Sequence, residues 1–494
     1  MTRNIRFRLN EIDYEVSVRE EALALDWIRN EAGLKGTKEG CREGDCGACL
    51  VLLGSLGPDS GPAGDTEWRS VTSCTLAMGE LDGRHLVTIE GLSAAGLTPV
   101  MEAMLDEGAS QCGFCSPGFV LALTGYLVSG AKVDPVEAMV AVEGNLCRCT
   151  GYGSIRRAAA RLAAGFADLP LGLGPRLAAL GERRVLPAGL AAMMAKPPKP
   201  AGSSTTPAGS ASSRAGGTGP VLGGGTDYFV RNPDPEDGLA PSFSDSGSEA
   251  RIISELPPAS TRSGKAAIVG IGPAATVTDF FASRVVRTAA PGIEESELAV
   301  ASPPIRNRAT LAGNIVNASP IADMTAMLIA LGASVELSGG EKGPRSVPLE
   351  GFFLGYKKID LRQGERLAGI LFEGGWTRFA FEKASKRERL DIATVNCAVA
   401  VRMAADGTIA AARYSAGGVA ATPLRLLDAE KAMVGRKPSA ALAREVGSLA
   451  AAAGSPMSDV RGSSVYRKRL LERLAWAAFT RLWPQLRLEE ELLS

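Results

Sequence analysis

The chain has 494 residues, 45% of them apolar, and its 54 basic side chains match its 54 acidic ones. That length suffices for several hydrophobic cores, and a formal net charge of zero leaves no basic excess for gripping phosphates, which argues against a nucleic-acid partner. The single histidine, His85, excludes multi-histidine zinc or haem sites, so the chemistry falls to the nine cysteines, eight of which precede residue 150.

The opening "MTRNIRFRLNEIDYEVSV" lacks the apolar centre of a secretory signal. No run of about 18 apolar residues follows that would span a bilayer. The expectation is a cytoplasmic chain, where disulfides are rare and grouped thiols point to metal. Ile5, Phe7 and Leu9 alternate with polar residues, as do Tyr14, Val16 and Val18, around the turn-prone Asn10-Glu11, which predicts a hairpin. "EEALALDWIRNEAG" (20–33) reads as a helix closed by Gly33. His85 lies in a predicted strand, as a structural or surface residue.

Cys41, Cys46 and Cys49 in "CREGDCGACL" have the spacing C-x4-C-x2-C, with Cys74 following in "TSCTL". This is the plant-type pattern for a [2Fe–2S] cluster held by four thiolates. Gly40, Gly44 and Gly47 interleave with the ligands and are expected to supply the positive φ angles that turn amides toward sulfur. A zinc knuckle or scattered free thiols are the bland rivals, but zinc favours two short paired spacings. Hairpin, helix, cysteine loop and later strands together resemble the β-grasp fold of plant-type ferredoxins.

The second group, Cys112 and Cys115 in "QCGFCSPGF" and Cys147 and Cys149 in "NLCRCTGY", is a C-x2-C followed by a C-x-C. Ser116-Pro117 reads as an N-cap and first-turn proline, so "GFVLALTGYLVSG" starts a helix just after Cys115. "SIRRAAARLAAGFA" starts another soon after Cys149. Two helix N-termini facing an anionic cluster would stabilise its charge, and a four-helix ligand frame results.

"GTKEGCREGDCGACL", "QCGFCSPGF" and "NLCRCTGY", in this order, resemble the iron–sulfur portion of the molybdenum hydroxylases, the xanthine dehydrogenase and aldehyde oxidase family. The resemblance implies one cluster in a ferredoxin-like domain and another in a helical bundle. It also implies that Gln111 contacts the molybdopterin of a partner domain.

Beyond the cysteines, "PPKPAGSSTTPAGSASSRAGGTG" (197–219) has no hydrophobic period and reads as a low-complexity insertion. In "PVLGGGTDYFV", Val221 and Leu222 read as a short strand leading into Gly223, Gly224 and Gly225, then Thr226, Asp227 and Tyr228. Glycines there let the backbone approach a pyrophosphate, with a plain glycine-rich turn as the alternative; the pattern is not G-x-G-x-x-G and implies no Rossmann site. "SPPIRNRATLAGNIVNASPIADM" resembles the family's second flavin segment, which carries cofactor contacts onto Thr310, Gly313, Asn314, Ser319-Pro320 and Asp323. It departs at Pro304, where the family usually has glutamine, and at Ala312, where it usually has glycine. "KASKRERLDIATVN" continues the resemblance and places Lys383 and Asp391 near the flavin or the nicotinamide site, with a solvated charged loop as the alternative for both. Cys397, in an apolar run, is expected to be a buried free thiol.

The implied architecture is a multidomain α+β chain. A β-grasp [2Fe–2S] domain covers 1–92, a four-helix [2Fe–2S] bundle with its linker 93–180, a two-part α+β FAD-binding domain 181–374, and an α+β C-terminal flavoprotein domain 375–494. Nothing in the chain resembles the family's large molybdenum-binding portion. The resemblance therefore implies an electron-transfer subunit of a xanthine-oxidising enzyme, in a heterotetramer of two small and two large chains. Electrons would arrive from the partner's molybdenum cofactor, pass through the Cys112 set and then the Cys41 set to FAD, and leave on NAD+. No side chain here acts on the purine. The alternatives are the small subunit of a hydroxylase acting on an aldehyde or N-heterocycle, and, from another class, a non-catalytic zinc-binding scaffold.

Overall fold

The computed structural model describes residues 2–56, 66–196, 221–235, 242–243, 248–256 and 267–492; the predicted insertion 197–219 lies outside them. The chain forms two compact units. One comprises Met1–Glu249 with Ser302–Ala309, the other Ala250–Ala301 with Thr310–Ser494.

The first unit opens with the hairpin expected from alternation. Strands β1 (Thr2–Leu9) and β2 (Ile12–Arg19) pair antiparallel, Leu9 opposite Ile12, with Asn10 in the left-handed region at φ 55°. Period-two alternation places Ile5, Phe7 and Leu9 on one face, where all three are buried. With β3 (Leu50–Leu56), β4 (Thr66–Thr72) and β5 (His85–Val87) they form a five-stranded sheet of order β2-β1-β5-β3-β4, β5 lying parallel to β1. The helix against this sheet spans only Ala24–Asn30, shorter than the predicted 20–33. The backbone of Glu20, Ala22 and Ala24 bonds instead to residues 76–79, through Gly79 N–H to Glu20 O, Met78 N–H to Ala22 O and Ala24 N–H to Leu76 O. Those tertiary partners outcompete the first helical turn.

The helices that frame the second cysteine set are Pro99–Asp106, Ser116–Val128, Pro135–Ala141 and Gly153–Gly165. Ser116–Val128 is apolar on every side and almost wholly buried, as the central member of a bundle must be. Gly153–Gly165 is amphipathic, burying Ile155, Ala159 and Leu162 while its arginines face outward. Cys115, not Ser116, takes the cap position; Ser116 is the first helical residue and its hydroxyl pairs with that of Ser110 at 2.8 Å.

In the second unit, strands 345–348, 334–338, 366–373, 268–271 and 253–256 form an antiparallel sheet in that spatial order. A second antiparallel sheet, 378–384, 395–403, 409–417 and 424–425, packs its Val395, Val399 and Val401 against Val446, Leu471 and Phe479 of the helices Ala440–Ala453 and Ser464–Leu482. Among the described residues no helix is long and apolar enough to cross a membrane.

Candidate functional site

Cys41, Cys46 and Cys49 lie on the loop between the helix Ala24–Asn30 and β3, and Cys74 on the tight turn Ser73–Thr75 after β4. β3 begins immediately after Cys49 and pairs with β4, Leu50 opposite Thr72, so the sheet itself draws the Cys49 and Cys74 segments together. Both thiols are buried beside Leu25. The Glu43 amide donates to Cys41 Sγ at 3.3 Å and the Cys41 amide to Cys46 Sγ at 3.4 Å. Gly44 and Gly47 have the expected positive φ, 79° and 67°. Gly40 has another role: a Cβ there would stand 2.7 Å from Cys46 Sγ. The third left-handed residue of the loop is Arg42, at φ 55°, which Asp26 holds with two bonds of 3.0 and 2.9 Å.

In the second set, Cys115 precedes the central bundle helix and Cys147 and Cys149 precede Gly153–Gly165. Cys112 and Cys149 are exposed, Cys115 is half-buried and Cys147 buried. The Thr150 hydroxyl and amide donate to Cys147 Sγ at 3.1 and 3.5 Å, and the Cys147 amide donates to the Tyr152 hydroxyl at 3.0 Å. Tyr152 is itself left-handed, at φ 66°. Gln111, beside Cys112, is exposed.

The thiols associate as four pairs, Cys41 with Cys46, Cys49 with Cys74, Cys112 with Cys149 and Cys115 with Cys147. In each pair one member is drawn below the usual thiol range and the other pushed above it. Cys46 hydrogen-bonds and lowers Cys41, and Cys74 does the same for Cys49; Cys46 and Cys74 rise in return. Cys112 falls through the Phe114 amide and then Cys149, which rises; burial raises Cys115 to about 12, while Thr150 lowers Cys147 despite its burial. Within each pair the shared hydrogen bond and proximity favour one thiolate beside one thiol. Among the described residues, no group of three or more histidine, cysteine or carboxylate side chains is arranged to hold a single metal ion. Each set of two pairs would offer four thiolates to a [2Fe–2S] cluster.

The loops that carry the two cysteine sets touch. The Leu146 amide donates to the Cys46 carbonyl at 3.0 Å and Asn145 Nδ2 to the Gly47 carbonyl at 3.3 Å. Asn145 is 3% exposed, and its Oδ1 has no partner. Nothing in the local sequence pattern singled it out.

Of the residues expected to contact flavin, the first unit holds Val221–Tyr228. Val221-Leu222 forms a short parallel pair with Ser242-Phe243, and Tyr228 opens the helical turn Tyr228–Arg231. Gly223, Gly224, Gly225 and Thr226 are half-buried and Asp227 is exposed. Two of the glycines also answer to packing within the chain: a Cβ on Gly224 would lie 1.8 Å from the Arg308 carbonyl oxygen, and one on Gly225 2.7 Å from the Phe229 ring.

The second unit holds the others. Thr310 caps the helix Leu311–Val316 by accepting from the Gly313 amide at 3.0 Å, and Asn314 Oδ1 accepts from the Thr325 hydroxyl at 3.0 Å. Ser319 Oγ accepts from the Ile321 amide at 3.5 Å. Asp323 and Lys383 meet directly: Lys383 Nζ donates to Asp323 Oδ2 at 2.7 Å and to the Ala299 carbonyl at 2.7 Å. Asn396 Nδ2 donates to Asp323 Oδ1 at 2.6 Å, a member of the group that sequence reading missed. Burial pushes the Asp323 carboxyl above its ordinary range, against the pull of Lys383. Asp391 accepts the amides of Arg387 and Ile392 within its own loop. Cys397 is fully buried, as a free thiol in an apolar run should be.

Four families match consecutive parts of the chain: "2Fe-2S iron-sulfur cluster binding domain" over 7–78, "[2Fe-2S] binding domain" over 88–160, "FAD binding domain in molybdopterin dehydrogenase" over 252–372, and "CO dehydrogenase flavoprotein C-terminal domain" over 380–482. A xanthine dehydrogenase of Oryza sativa subsp. japonica is 27% identical over 480 residues, covering 84% of this chain and 35% of that protein. The chain thus spans about a third of that relative's length. The nicotine 6-hydroxylase small subunit of Paenarthrobacter nicotinovorans is 38% identical over 152 residues, 29% of this chain and 84% of that one. A carbon monoxide dehydrogenase structure from Hydrogenophaga pseudoflava aligns with a TM-score of 0.48 at 28% identity, covering 54% of this chain and 90% of that one.

Proposed function

The chain belongs to the molybdenum hydroxylase family, as its iron–sulfur and FAD-binding electron-transfer part, and from that premise we propose that it is the electron-transfer subunit of a xanthine dehydrogenase. It takes electrons from a molybdenum-bearing large subunit that oxidises hypoxanthine and xanthine, and it delivers them to NAD+ in the cytoplasm. The assembly is a heterotetramer of two small and two large chains. The division into 1–92, 93–180, 181–374 and 375–494 belongs to the same proposal.

The observation that carries this reading is the gathering of eight thiols into two sets, each of two pairs, on loops that touch through Leu146 and Cys46. Cys41, Cys46, Cys49 and Cys74 would hold one [2Fe–2S] cluster, and Cys112, Cys115, Cys147 and Cys149 the other. Such clusters supply one-electron transfer and FAD the conversion to two-electron chemistry. This chain's own residues hold and shield them: amides and Thr150 steady the sulfurs, the sheet buries Cys49 and Cys74, and the bundle buries Cys147. Gln111, exposed beside Cys112, would meet the partner's pterin. Val221–Tyr228, Thr310, Gly313, Asn314, Ser319, Asp323 and Lys383 would hold FAD. The xanthine assignment is supported by a likeness that runs through cluster and flavin portions together, at 84% of this chain.

The test is purification with whatever accompanies the chain. Metal and flavin analysis is expected to give four irons and one FAD per chain, with a molybdenum-bearing partner and bleaching of the visible spectrum by xanthine. Bleaching by an aldehyde or an N-heterocycle but not xanthine selects the sister enzyme. Stoichiometric zinc without iron overturns the redox reading.

A further inference from the structure

Arg308 stands two residues before Thr310, the first expected flavin contact of its segment, and its side chain reaches the Cys74 turn. It is 4% exposed and forked. Nη1 donates to the Thr75 carbonyl and, at 3.1 Å, to the Thr75 hydroxyl, while Nη2 donates to Glu80 Oε1 at 2.7 Å. Glu80 Oε1 also accepts the Ala77 amide at 3.2 Å. The guanidinium and carboxylate thus brace the short turn that carries Cys74, gripping Thr75 directly and Ala77 through Glu80.

Both charges are nearly out of solvent, Glu80 at 10% exposure, so neither is screened as a surface ion would be. The backbone of Arg308 is fixed in turn, because its carbonyl fills the space that a Cβ on Gly224 would need. Asn307 Nδ2 donates to the Ser70 carbonyl at 2.9 Å, and Ile305 closes on Gly44, where a Cβ would lie 2.7 Å from Ile305 Cδ1. Residues 305–308 are consequently held against Gly44 in the Cys41 loop and against the Cys74 turn, where Arg308 meets Glu80 as a buried ion pair.

We infer that the Arg308–Glu80 pair is a positioning and electrostatic element that sets the reduction potential of the centre on Cys41, Cys46, Cys49 and Cys74. The inference rests on reading that set as a cluster site. Adding an electron there increases local negative charge. A guanidinium without its carboxylate favours that step, and a carboxylate without its guanidinium opposes it. The intact pair nearly cancels, so the two single replacements shift the potential in opposite directions. A bracing role alone would move both the same way.

The experiment is a potentiometric titration of the purified holoprotein with its partner, followed by EPR, in which the two cluster signals are read separately. At a fixed poise near the wild-type midpoint of the affected signal, Arg308→Gln is expected to lower its reduced-to-oxidised ratio on the order of tenfold. Glu80→Gln is expected to raise it by a similar factor, and the double variant to return close to wild type, while the second signal stays put. Arg308→Lys, which retains the charge but not the fork, keeps a near wild-type ratio. If Arg308→Gln does not load its cofactors, Glu80→Gln and Arg308→Lys decide the matter. Signals that stay unshifted, shift in the same direction in both single variants, or move together overturn the inference. Absence of any cluster signal in the wild-type protein overturns the cluster reading instead.

Discussion

The amide of Leu146, the residue before Cys147, donates to the carbonyl of Cys46 at 3.0 Å, so the two cysteine sets share a direct backbone hydrogen bond. The fit depends on Gly47, which is left-handed and whose missing Cβ would lie 2.5 Å from both Asn145 Nδ2 and the Gly144 carbonyl. Gly47→Ala combines backbone strain with a clash against main chain, at a cost on the order of 3 kcal/mol. A depressed melting temperature and iron content below that of the wild type are expected. An unchanged melt would show that the loops can part without cost.

Lys383 and Asp323 form a buried ion pair whose anion Asn396 also holds. Removing the cation strands the carboxylate, so Lys383→Met is expected to destabilise the protein by roughly 3 kcal/mol near pH 8. The Asp323 carboxyl is already raised by burial. A raised acid binds more protons folded than unfolded, so stability falls as pH rises through its folded value. The penalty of Lys383→Met therefore shrinks at acid pH and in the double variant with Asp323→Asn. Denaturant melts at pH 5 and 8 check this, and flavin absorbance after desalting is expected to fall in Asp323→Ala while cluster absorbance stays.

His85 is fully buried, with Nε2 against the Asn10 carbonyl at 2.6 Å and its ring edge-on to Trp68. Burial lowers its pKa from 6.5 to about 4. The unfolded chain binds the extra proton between those values, so this contribution is whole above 6.5 and is lost as pH falls toward 4, about 3 kcal/mol in all. His85→Gln is expected to flatten that part of the stability–pH curve. Parallel curves for the two proteins would refute it.

Gln111 precedes Cys112, is exposed, and is the residue proposed to meet the partner's pterin. Gln111→Ala is expected to leave both cluster spectra intact while slowing their reduction by substrate in the assembled enzyme. Rapid mixing with unchanged rates would remove Gln111 from the contact.

The cysteine sets were legible because ligand chemistry constrains spacing within a few residues, and the hairpin because alternation at Ile5, Phe7 and Leu9 is a local signal. What escaped depends on distant chain. The helix predicted from Glu20 begins at Ala24 because residues 76–79 claim the preceding backbone. Ser116 forgoes its cap for Ser110. Asn145, Asn396 and Arg308 look like ordinary polar residues until the fold brings Gly47, Asp323 and Thr75 to them.

Ser302–Ala309 belongs to the first compact unit, whereas the residues on either side of it belong to the second. The chain therefore enters the first unit twice, and this has a consequence for biosynthesis. A nascent polypeptide with only its first 249 residues clear of the ribosome holds every cysteine of both sets, yet Glu80 has no Arg308, Gly224 faces no carbonyl, and neither Gly44 nor Gly144 is covered by Ile305 and Pro304. The first unit is complete only after residues 250–301 have been made, so its maturation waits on translation of sequence that it does not itself contain.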